Sequence, residues 1–128
     1  MPGMRRFVPI LVTAVAALLA FSSVAEARLS VTMHAGTHHP KAGKKWPITI
    51  TARNGHKRVC GSVRYAFLFH GRTVAHRNPG VGRHFCGHFR DPAIIWPKRA
   101  IGIPLTFRAV VDTRLGQRNL DYSVKVRR

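Results

Sequence analysis

The chain has 128 residues, with 22 Lys and Arg against four Asp and Glu, a formal charge of +18 when His is neutral. So few carboxylates remove most of the material for paired acid–base catalysis, and the length allows one modest domain. The positive excess keeps such a chain soluble and draws it toward polyanions over about 10 Å at 0.1 M salt.

The first segment reads as a secretory signal. Arg5 and Arg6 form a positive start, Phe7 to Phe21 an apolar run interrupted by Pro9 and Thr13, and Ser22 to Ala27 a polar stretch ending in Ala-x-Ala. The apolar run is shorter than the roughly 20 residues that cross a hydrocarbon core. A helical signal peptide over 1–27, cleaved after Ala27, is therefore expected, with an uncleaved anchor as the alternative. Pro9 and the Arg-Arg-Phe-Val context favour the general export route over a twin-arginine one. The protein is then expected to be secreted or held in the cell envelope, as a single domain over 28–128. That domain has 20 basic residues and three acidic ones, Asp91, Asp112 and Asp121, for a formal charge of +17. In the full chain Arg outnumbers Lys 16 to six, a bias that GC-rich codons alone also produce.

The mature part alternates with a period of two, the signature of half-buried strands. Leu29, Val31 and Met33 define a first strand, and Ala35 to Lys45, with Gly36, Pro40 and Gly43, a loop. A second strand has Ile48, Ile50 and Ala52 inward, with Pro47 near its start. A turn from Asn54-Gly55 leads to the clearest strand, with Val63, Tyr65, Phe67 and Phe69 on one face. Gly71-Arg72 predicts a two-residue hairpin into Thr73 to His76. A loop over Asn78 to Gly82 and a short strand over His84 to Phe89 follow. Asp91 to Pro104, punctuated by Pro92, Pro97 and Pro104, fits an edge strand. A final pair has Leu105, Phe107, Ala109 and Val111 facing Leu120, Tyr122, Val124 and Val126, joined by a turn at Leu115-Gly116-Gln117. No stretch after the signal has helical periodicity, so an all-β, two-sheet antiparallel sandwich of about seven strands is expected.

Pro40-Lys41-Ala42-Gly43 followed by Trp46-Pro47-Ile48-Thr49-Ile50-Thr51 resembles the A-to-B passage of bacterial exported immunoglobulin-like domains, and Pro104 to Val126 resembles their closing F and G strands. The Pro-x-Ala-Gly passage is also similar to exported sandwiches of the YtkA-like group. The resemblance implies an immunoglobulin-like sandwich. It departs from antibody-type domains in that Cys60 precedes the third long strand.

Two cysteines, Cys60 and Cys86, in an exported chain predict one disulfide. The eight histidines are the only residues able to carry metal chemistry in number. His34, His38 and His39 form the favoured candidate copper or zinc set; His84, Cys86 and His88 would share one strand face, but a disulfide removes the thiolate. A Ser-His-Asp set drawn from Ser62 or Ser123, His70 and Asp112 lacks any supporting motif, so no enzymatic activity and no cofactor are expected. Lys41, Lys44 and Lys45 form the densest basic cluster, and Arg53, Arg64, Arg108, Lys125 and Arg127 sit at outward strand positions. The aromatic residues fall mainly on core faces, which removes a stacking platform for single-stranded nucleic acid. The expected role is a non-enzymatic binding or structural domain contacting anionic envelope polymers or a membrane surface, without sequence-specific nucleic-acid recognition. Metal binding is the alternative. A further partner is a protein docking by strand addition on the Asp91–Pro104 edge.

Overall fold

The computed structural model describes residues 28–77 and 82–128. The signal expected at 1–27 and positions 78–81 of the Asn78–Gly82 loop lie outside the described residues. Nine strands follow one another: β1 (Leu29–Ala35), β2 (Lys45–Asn54), β3 (Lys57–Arg58), β4 (Cys60–Phe69), β5 (Arg72–Arg77), β6 (Arg83–Cys86), β7 (His88–Ile95), β8 (Pro104–Thr113) and β9 (Gly116–Lys125). One 3-10 turn, Lys98–Ala100, lies between β7 and β8.

The strands form two antiparallel sheets packed as a sandwich. One has the order β1-β2-β7, with β3 paired to the end of β2; the other has the order β4-β8-β9, with β5 and β6 sharing the free edge of β4. The chain changes sheets between β6 and β7, where Cys86 pairs with His88 around Gly87. Gly87 has a φ of +74°, a conformation that L side chains rarely adopt, and a Cβ there would collide with the Arg58 side chain. Its N–H donates to the Val59 carbonyl and its own carbonyl accepts from the Ala52 N–H, both at 2.9 Å. This tight crossing replaces the continuous strand expected over His84–Phe89.

The predicted inward faces hold. Ile48, Ile50, Ala52, Val63, Tyr65, Phe107, Ala109, Val111, Val124 and Val126 are buried in one core, with Val31, Met33, Phe67, Leu105, Leu120 and Tyr122 packed against it. Phe69 is the exception. It lies beyond a register shift between Phe67 and Leu68 and is exposed, while Leu68 is buried. The hairpin turn also falls one residue earlier than expected: His70 (φ 50°) and Gly71 (φ 79°) make it, and Arg72 already pairs with Phe69. Two positive φ values in succession are what the twist of a two-residue hairpin requires.

Strand β7 ends the expected edge segment early, at Ile95. Pro92 is accommodated where the β2–β7 register shifts between Trp46 and Ile48. Trp46 and Trp96 meet edge to face at 5.4 Å in the core, and Trp46 Nε1 donates to the Thr37 carbonyl at 2.8 Å. The Ala35–Lys45 loop is not free of the sheet. Its His38 and Pro40 carbonyls accept from the Lys125 and Arg127 N–H groups, and Ala42 N–H donates to the Arg127 carbonyl, each at 2.9 Å. At the opposite end of β2, Gly55 N–H donates to the Arg28 carbonyl at 3.3 Å.

Candidate anion-binding site

The three carboxylates of the domain are all engaged, which decides where positive charge stays unbalanced. Asp112 takes Arg64 at 2.6 Å and also accepts from Gln117 Nε2 at 2.6 Å. Asp121 takes Arg108 through two parallel bonds of 2.7 and 2.9 Å, and this pairing holds the Asp121 carboxyl below its usual range. Asp91 is buried. It accepts from the Tyr65 hydroxyl at 2.8 Å and from the Ala93 N–H at 2.9 Å. Burial first, and the Asp91 hydrogen bond second, push the Tyr65 phenol far above its ordinary value.

The basic positions expected from sequence therefore divide. Arg64 and Arg108 are neutralised on the outer face of the β4-β8-β9 sheet. Lys41, Lys44, Lys45, Lys125 and Arg127 are exposed and drawn together, because the His38–Ala42 segment lies against the end of β9 and Lys41 bridges to Arg127. Arg53 stands apart on β2, directly opposite Arg58 of β3. Two like charges face to face across a strand pair repel, and a bound anion relieves that.

Beside this pair the structure forms a cleft that sequence reasoning did not find. It measures about 350 Å³ and is bounded by Asn54, Lys57, Arg58, Val59, Cys60, Arg114 and Leu115. Three basic residues and, among the described residues, no carboxylate line it. Lys57 and Arg58 are placed by the short β3, which folds back on β2 after the Gly55 turn; Arg114 sits in the β8–β9 turn, ordered by Thr113. The Thr113 hydroxyl donates to the Gly116 carbonyl at 2.9 Å and accepts from the Leu115 N–H at 3.1 Å. The Asn54 side-chain oxygen is buried without a hydrogen-bond partner among the described residues. The cleft's one signal in the sequence is the adjacent pair Lys57-Arg58, which the basic positions expected from sequence do not include. The third cation comes from 56 positions further along the chain, and nothing in the sequence pairs the two turns.

No protein-family profile matches the chain, and comparison with curated proteins gives no significant match. The site is read from its own chemistry.

Cys60 and Cys86 are joined, opposite one another on β4 and β6, and both are exposed. A disulfide of this kind is compatible with an extracytoplasmic location. The histidine sets do not converge. His34 lies on the outer face of β1; the His38 ring stacks on Tyr122 at 3.9 Å and its Nδ1 bonds the Ser123 carbonyl at 2.6 Å; His39 is exposed. His84 and His88 fall on different strands because the chain turns at Gly87. Among the described residues no three His, Cys, Asp or Glu side chains gather as a metal-binding group.

Proposed function

We propose that this protein is an exported, non-catalytic binding domain of the cell envelope whose strongly basic surface holds anionic polymers, with the Lys57–Arg58–Arg114 cleft seating an anionic group. The cleft carries the reading: three cations converge on one concavity without a carboxylate among its lining residues. Two of the three acids are already paired with Arg64 and Arg108, which leaves 18 of the 20 basic side chains of the described domain outside any salt bridge with another residue's side chain. The exposed cluster around Lys41 and Arg127 adds a second attachment point at the other end of β2. The strand arrangement, β1-β2-β7 against β4-β8-β9, supports the immunoglobulin-like reading, and the disulfide supports export.

Retention on a heparin or teichoic-acid column tests it. Elution should move to lower salt, and binding weaken about tenfold, when Lys57, Arg58 and Arg114 are replaced together by Ala. The Arg64→Ala, Asp112→Ala pair should elute close to the parent, because it removes a cation together with the carboxylate that balances it. Retention insensitive to ionic strength would refute electrostatic attachment.

A further inference from the structure

Among the described residues, three of the four large apolar side chains left exposed line one groove. Val74 (58 % exposed) comes from β5, Ile95 (51 %) from the end of β7, and Ile103 from the segment before β8. The groove measures about 600 Å³, and Phe67, Trp96 and Leu105 also line it. Isolated exposed apolar residues are ordinary; a group of them around one concavity marks a binding surface.

The strands flanking the groove leave hydrogen-bonding capacity unused. β5 pairs with β4 alone, so its second edge has no partner strand among the described residues. β7 pairs with β2 on one side, and on the other, among the described residues, only at Cys86–His88, far from Ile95. Arg72 and Arg77 close the two ends of β5, and they bracket the uncharged stretch Thr73-Val74-Ala75. Two unpaired backbone edges beside an apolar trough are the elements of strand addition, in which main-chain bonds supply affinity and alternate side chains enter the trough.

Charge then selects the partner. Arg77 and Arg99 line the groove, His76 stands between Val74 and Arg77, and no carboxylate lines it. A second copy of this chain pairing antiparallel on β5 would set Arg72 against Arg77 at both ends, and each copy carries the full positive excess. We infer that the groove between β5 and the end of β7 takes an extended segment of an acidic protein, with alternating apolar residues seated beside Val74 and Ile95 and carboxylates reaching Arg72, Arg77 and Arg99. This site lies outside the basic cleft and stands on different residues.

The test uses the purified protein and an acetylated octapeptide of alternating Val and Thr with Asp at both ends, alongside a Lys-ended version and palmitate. With millimolar Asp-ended peptide, the β5 amides that face away from β4 should gain at least tenfold protection from hydrogen exchange, and the Lys-ended peptide should give none. The Val74→Lys variant should weaken peptide binding tenfold or more while eluting from heparin at no lower salt than the parent. Absence of protection at saturating peptide overturns the proposal. So does palmitate binding that shifts Trp emission while the peptide leaves β5 exchange unchanged, an outcome that assigns the groove to lipid anions.

Discussion

Tyr65 and Asp91 form a polar contact that joins the two sheets through the core, β4 to β7. A buried carboxylate deprived of a donor costs about 1–3 kcal/mol, so Tyr65→Phe should lower Tm, and Asp91→Ala, which strands the phenol, should do likewise. The pair also predicts an alkaline limit. A phenol whose folded pKa is raised contributes its full stability below the unfolded value of 10.0 and loses it progressively above that pH, because only the unfolded chain releases the proton. Denaturant melts between pH 8 and 11 should therefore show falling stability from about pH 10, with a shallower fall in Tyr65→Phe. Periodicity places Tyr65 in the core, whereas Asp91 heads an edge segment punctuated by three prolines. The contact between them depends on β4 and β7 belonging to opposite sheets, which periodicity alone does not reveal.

The alternation of apolar and polar residues located β1, β2, β4, β8 and β9 and their inward faces, because each strand has one dry side and the period of two records it. The same rule failed from His84 to Pro104. There the chain leaves one sheet and enters the other at Gly87 while the alternation continues, with Phe85 and Phe89 both buried. A period of two therefore does not record the change of sheet, and its phase slips only at Pro92-Ala93, before the buried Ile94. The disulfide fastens that crossing: it ties β6 to the first residue of β4 across a sequence separation of 26. On the loop-closure account its removal costs about 3.5 kcal/mol. The Cys60→Ser, Cys86→Ser pair should accordingly unfold at much lower denaturant, and the loss should be matched by reduction of the parent. The cleft was illegible for a related reason, since β3 and the β8–β9 turn meet only through the fold.

For the molecule as a whole, self-repulsion among unbalanced cations opposes folding, and attraction to polyanions opposes free diffusion. Salt acts on the two in opposite directions. Raising NaCl from 20 to 300 mM, values chosen to shorten the Debye length from roughly 20 Å to about 6 Å, should raise Tm while it weakens polymer binding. A neutral protein of this size would show neither trend strongly, so parallel melting and binding measurements separate charge from packing.

β2 spans ten residues, from Lys45 beside Ile95 to Asn54 beside the Arg28 carbonyl. At about 3.3 Å per residue its ends stand roughly 30 Å apart, several screening lengths in physiological salt. The cleft occupies one end and the groove the other, so neither occupant senses the other's charge. With the cleft and the Lys41–Arg127 cluster both held by an anionic matrix, the groove, which stands on neither, would stay free, and the domain would act as a short, rigid coupling between a polymer and a second protein.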